Sequence, residues 1–166
     1  MRVHQLMSTP AQTCRRTTDL ATVLQRMHTG NFGAMPVIDD RGRLAGIVTD
    51  RDIGLALARH LQCRATDLTA GEVMHERVQG VDPHQDVREA MRIMTREQVH
   101  RLPVVDADGR VVGMLATSDL LLGIRARLRS GEEPTVLDVL ETLQAIAVPP
   151  HAVALGPMTS SQPIAR

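Results

Sequence analysis

The chain has 166 residues, 43% of them hydrophobic, and its Lys and Arg balance its Asp and Glu at 19 each. No global field draws it to nucleic acid or to an anionic membrane, so any anion site has to be local. One Phe and no Trp or Tyr remove the aromatic platforms used by single-stranded nucleic acid and sugar binders, leaving a core of Val, Leu, Ile, Ala and nine Met.

The first eight residues carry no apolar core of signal-peptide length, and no apolar run anywhere approaches a membrane span, so a cytoplasmic location is expected. Leu20, Val23, Leu24 and Met27, spaced i, i+3, i+4, i+7, predict an amphipathic helix that Thr17 or Thr18 would cap. The run Met35-Pro36-Val37-Ile38 is too short for a helix and reads as a strand. Asp39-Asp40-Arg41-Gly42 is then a tight turn into a second strand over 44–48. Thr49-Asp50-Arg51-Asp52-Ile53 passes from strand to helix, with Ile53, Leu57 and Leu61 as the apolar stripe. Residues 64–71 are too few for a free linker, so the segments on either side of them should pack directly on each other.

The same series then recurs. Residues 74–128 align with 7–61 at a constant offset of 67 without a gap, pairing Met7 with Met74, Asp19 with Asp86, Pro36 with Pro103, Gly46 with Gly113 and Asp52 with Asp119. Val87, Ala90, Met91 and Met94 repeat the first stripe behind Asp82-Pro83, with Arg88, Glu89, Arg92 and Arg96 on the wet side. Leu102-Pro103-Val104-Val105, the turn Asp106-Ala107-Asp108-Gly109 and a strand over 111–115 repeat the hairpin. Ala116-Thr117-Ser118-Asp119-Leu120 repeats the switch to helix, with Leu120, Leu121, Ile124 and Leu128 as its stripe. Ser130-Gly131-Glu132-Glu133-Pro134 breaks the pattern, and a further amphipathic helix is expected over 134–147, facing either its own module or a partner subunit. The Pro-, Ser- and Ala-rich remainder is expected to fray. Units that repeat in this way usually cannot bury their apolar faces alone, so function is sought where the copies meet.

These residues carry a family resemblance. Leu6-Met7-Ser8-Thr9-Pro10 and Val73-Met74, Met35-Pro36-Val37-Ile38-Asp39 with its second copy, and Gly46-Ile47-Val48-Thr49-Asp50-Arg51-Asp52 resemble the motifs of the cystathionine-β-synthase-type (CBS) domain, given twice. The resemblance implies an α+β fold: a pseudo-twofold tandem pair with two facing small sheets flanked by helices. Its parts are a first CBS motif over 1–63, a second over 64–129, and a C-terminal helix and tail over 130–166. It implies a stand-alone regulatory module binding AMP, ADP, ATP or S-adenosylmethionine between the repeats, working as a homodimer, with an effector protein to receive the signal.

Carried over residue by residue, Asp52 and Asp119 match the acid that binds ribose hydroxyls, and a charged acceptor strengthens such bonds. Thr49 matches a Ser or Thr that faces phosphate, with Arg51 beside it. The second copy has Ala116 in place of Thr49, one hydroxyl donor fewer, worth about 0.5–1.5 kcal/mol, which Thr117 and Ser118 would partly replace. His100-Arg101-Leu102-Pro103 resembles the phosphate-contacting His-Arg pair of AMP-activated kinase gamma subunits, while the first copy has only Gly33-Ala34 there. The two clefts are therefore expected to be unequal.

Plainer readings stand beside these. Asp52 and Asp119 also suit a helix first turn, Thr49 a helix cap, and His100 and Arg101 a solvated strand start. The methionines read as core filler, and the histidines show no metal-ligating spacing. Cys14 and Cys63 read as small buried or half-buried thiols of a reducing compartment. No arrangement marks a catalytic nucleophile or acid-base pair, and the repeat with its tail accounts for the whole length, so an enzyme is not expected. A ligand-free dimerisation or protein-interaction module is the alternative to the nucleotide sensor.

Overall fold

The computed structural model describes residues 1–127 and 135–147. A 3-10 turn at Val3–Gln5 precedes β1 (Cys14–Arg15), α1 (Leu20–Gly30), β2 (Ala34–Ile38), β3 (Leu44–Thr49) and α2 (Asp50–Arg59). Then come α3 (Ala70–Val73), α4 (Val87–Glu97), β4 (Arg101–Val105), β5 (Val111–Ala116), α5 (Thr117–Arg127) and α6 (Val136–Ala147). The expected α+β architecture of two small sheets flanked by helices is what the chain adopts.

One sheet has the order β1-β2-β3, with β1 parallel to β2 and β2 antiparallel to β3. The second holds β4 and β5, and Val81 bridges Val104 in parallel just as Cys14 pairs with Val37. Each hairpin turns on an aspartate. Asp39 accepts from the Arg41 and Arg43 N–H groups at 2.9 and 2.8 Å, and Asp106 accepts from those of Asp108 and Arg110 at 3.0 and 2.8 Å. Gly42 and Gly109 follow at φ +79° and +78°, where a side chain would be strained. The two turns meet each other: Leu44 donates to Gly109 and Val111 to Gly42, so a pseudo-twofold axis passes between Arg43 and Arg110.

Each repeat buries its own helix stripe, but neither core is closed by its own leader. Val3, at the N-terminus, is buried in the second core, whereas Leu68 and Ala70, from the connection, are buried in the first. Backbone pairing fixes the exchange: Ser8 and Met114 bond reciprocally at 2.8 and 3.0 Å, and His75 and Ile47 do so at 2.9 and 3.0 Å. The connection is thereby strapped down, with Leu20 donating to Leu68 and Ala70 to Thr18. The short linker does force direct packing.

Some local expectations are corrected. The cap of α1 is neither Thr17 nor Thr18 but Asp19, whose carboxylate accepts from the Thr22 N–H and hydroxyl at 2.9 and 2.8 Å; the Thr18 oxygen is used by the Arg15 N–H. Asp86 caps α4 in the same way, from Arg88. Leu61 does not extend the stripe of α2, because the helix ends at Arg59 and leaves Leu61 87% exposed. Leu121 is likewise outside the core, since Leu120 takes the inward position and its neighbour is turned about 100° away. Leu128 and residues 130–134 and 148–166 lie outside the described residues.

The C-terminal helix packs on its own module. Val139 and Ile146 enter the second core, and the Gln98 amide, at the left-handed end of α4, donates to the Ala145 carbonyl at 2.9 Å. Leu137 and Leu140 stay exposed on the opposite side.

The exchange depends on two glycines. A Cβ at Gly46 would lie 2.7 Å from the His75 carbonyl oxygen, whereas one at Gly113 would first meet the Met7 sulfur at 2.7 Å. A thioether yields more easily than backbone. Gly46→Ala is therefore expected to lower stability by about 1–3 kcal/mol and Gly113→Ala by less, read from urea midpoints at unchanged slope.

Candidate functional site

Where the first repeat, the connection and the second repeat meet lies a cleft of about 820 Å³, within the range of small-molecule sites. The turn from β3 into α2 brings Thr49, Asp50, Arg51 and Asp52 to it. The segment following α3 brings Met74 through Gln79, and the step from α4 into β4 brings His100, Arg101 and Leu102. Thr49, Arg51, Asp52, His100 and Arg101, drawn from two repeats, thus line one hollow.

Asp52 is its most constrained acid. Its Oδ2 accepts the Thr49 N–H at 2.9 Å and the Thr49 hydroxyl at 2.6 Å, while the Thr49 oxygen receives the Asp52 N–H at 3.2 Å. This reciprocal cap fixes the carboxylate at the first turn of α2. Thr49 is therefore both cap and support, with its hydroxyl proton committed to Asp52. The remaining oxygen, Oδ1, is 3.0 Å from Nε2 of His75.

The cleft's other acids are also partnered, Glu76 and Glu97 by groups outside it and Asp50 by its neighbour's backbone. Glu76 pairs with Arg16 at 2.9 Å and Glu97 with Arg96 at 2.7 Å, and Asp50 accepts from the Arg51 N–H at 2.8 Å. The guanidinium groups of Arg51, Arg77 and Arg101, by contrast, make no hydrogen bond or ion pair among the described residues. The lining therefore presents one held carboxylate and a set of unspent cations, chemistry suited to a ligand that is a diol at one point and an anion at another.

Thr117, Ser118 and Asp119 stand apart from this cleft, at the start of α5. Asp119 accepts the Ala116 N–H at 2.8 Å, the backbone half of the Thr49–Asp52 arrangement, but alanine supplies no hydroxyl. Burial pushes the Asp119 carboxyl above its ordinary value, against the Ala116 hydrogen bond and the field of Arg101, which lower it. Of the two cysteines, Cys14 is buried as expected, its thiol pushed up to about 11 by that burial, whereas Cys63, just past the end of α2, is exposed and not the half-buried thiol expected.

Sequence reasoning missed His75 and Arg77. Their counterparts at the offset of 67 are Ser8 and Pro10, so matching the repeats gave no signal there. The signal lay in the mismatch itself. Among the described residues no group of three or more His, Cys, Asp or Glu is placed to hold a metal ion, and no helix is long and apolar enough to cross a membrane.

Comparison with known proteins bears on this geometry. The family model of the CBS domain matches residues 3–59 and again 70–126. A CBS domain-containing protein of Dictyostelium discoideum is 34% identical over 127 residues, covering 72% of this chain and 88% of that protein. The solved CBS domain pair of protein MJ0100, in complex with 5′-methylthioadenosine and S-adenosyl-L-methionine, is similar at a TM-score of 0.66 and 26% identity, covering 78% of this chain and 100% of that one. CBSX2 in complex with AMP is similar at 0.64 and 25% identity, covering 79% of this chain and 98% of that one. With the family model matching twice, in register with the internal duplication, the chain belongs to the CBS domain family as a tandem, Bateman-type pair.

Proposed function

We propose that this protein is a non-catalytic cytoplasmic sensor. Its cleft takes an adenine nucleotide or a related adenosyl compound, and occupancy is signalled by a change in how the repeats sit against each other or against a partner. The observation that carries this reading is the convergence of Asp52 with Arg51, Arg77, His100 and Arg101 in one hollow. Asp52 would accept from the ribose hydroxyls, and the arginines would meet phosphate. The ligands of related pairs, AMP in CBSX2 and S-adenosyl-L-methionine in MJ0100, support the class. Between them, the unspent guanidiniums favour phosphate over a sulfonium cation. A signal requires that the ligand bind one arrangement of the repeats more tightly than the other, because equal affinity shifts nothing.

The second site, at Thr117, Ser118 and Asp119, is the weaker one in this reading, because its acid lacks a hydroxyl support. An effector protein and a homodimer complete the proposal. Exposed Leu122 and Leu137 favour a protein-binding surface and also support the second reading, an interaction module that needs no ligand. Sedimentation at several concentrations is expected to give a dimer, and a monomer throughout would remove that part.

Calorimetric titration is expected to show AMP, ADP and ATP binding in order of rising phosphate count, with affinity falling as salt increases and S-adenosylmethionine weakest. Asp52→Asn, which keeps an acceptor for the cap, should weaken AMP by about tenfold. Unchanged affinity in that variant would take the nucleoside out of this cleft.

Asp119 makes a separate, pH-dependent prediction. A carboxyl raised in the folded state contributes stability below its unfolded value, and that contribution is lost as the pH rises through the folded value. Asp119→Asn retains an acceptor for Ala116 and carries no charge. Its melting temperature relative to the parent should therefore rise as the pH is raised through and above the ordinary carboxylate range of about 4, and a flat difference would show that burial is not what acts on this acid.

A further inference from the structure

The contact between His75 and Asp52 occupies the atom a ribose would need. Oδ2 of Asp52 is already engaged by both donors of Thr49, so Oδ1 is the carboxylate oxygen left to face the cleft. His75 donates to it from Nε2 at 3.0 Å, since an ionised carboxylate can only accept. The two partners are unequally held. The Asp52 side chain is 14% exposed and fixed by the helix cap, whereas the His75 side chain is 66% exposed.

The backbone of His75, on the other hand, is locked. Its N–H and carbonyl both pair with Ile47, so the imidazole can leave by side-chain rotation while the strand edge stays in place. The duplication supplies an internal control. Ser8 stands at the corresponding position and its backbone is locked to Met114 in the same manner, but no side-chain bond joins Ser8 to Asp119 among the described residues. A serine hydroxyl reaches much less far than an imidazole. The occupied acid therefore belongs to the first repeat, where the cleft and its cations are.

We infer that His75 is a resident competitor for the ligand: it holds Oδ1 of Asp52 and is displaced by a vicinal diol. This inference rests on the reading of the cleft as a nucleoside site and adds a determinant of its affinity. A buried-side carboxylate oxygen left without a donor carries a desolvation cost, which the imidazole relieves until two ribose hydroxyls replace it. The exchange makes the site respond to ligands with a diol in particular. A phosphate compound without one would leave the His75 contact intact.

The test compares His75→Ser, which installs the residue of the other repeat, with the parent and with Asp52→Asn, using AMP and 2′,3′-dideoxy-AMP as probes in calorimetry. His75→Ser is expected to bind AMP about 3- to 10-fold more tightly, the worth of an exposed hydrogen bond to a charged group, and to leave 2′,3′-dideoxy-AMP unchanged. In the parent, the His75 ring resonances should shift on saturation with AMP, an observation that needs no variant. Equal or weaker AMP binding by His75→Ser, or an equal gain for the dideoxy compound, would overturn the competitor role. If Asp52→Asn weakens AMP in the same series, the nucleoside reading survives that failure; if it does not, both fall together.

Discussion

The reciprocal pairing of residue 8 with 114 and of residue 75 with 47 governs this molecule. A β3 or β5 left as a free edge would expose a row of unpaired N–H and carbonyl groups. Each is covered by the extended leader of the other repeat, and the close approach requires the hydrogen side chains of Gly46 and Gly113. The leaders also carry apolar anchors, Val3 into one core and Ala70 into the other. A single repeat would therefore lack both an edge partner and part of its core. The cleft arises from the same exchange, because the segment that closes the edge of β3 continues as its wall from His75 to Gln79.

Much of this was legible in the chain. The helix stripes, the Asp-and-Gly turns and the gapless offset of 67 mark features in which both copies obey the same local physics, and hairpins, helices and pseudo-symmetry result from them. The strand Cys14–Arg15 was hidden because a two-residue strand has no periodicity to read. The exchange of leaders was hidden because edge coverage is a tertiary matter and leaves no spacing signal. The errors at Leu61 and Leu121 share one cause, a stripe extended by composition past the point where the helix ends or turns it away.

The site was legible in a different proportion. Thr49, Arg51, Asp52, His100 and Arg101 were brought forward by family resemblance, and the fold gathers them into one cleft. His75 and Arg77 were passed over because comparison of the repeats rewards identity. A site formed between two unlike halves is built from differences, and pairs such as Ser8 and His75, or Gly33 and His100, are where a duplicated fold departs from symmetry.

That departure has a direction. The acid supported by a threonine hydroxyl lies in the first repeat, whereas His100 and Arg101 come from the second, whose own acid is supported, among the described residues, by the Ala116 backbone alone. Arg101 lines the cleft that holds Asp52, and its field reaches the Asp119 carboxyl at the start of α5. A ligand neutralising Arg101 in the cleft would weaken the interaction that lowers the Asp119 carboxyl, leaving burial to push it further up.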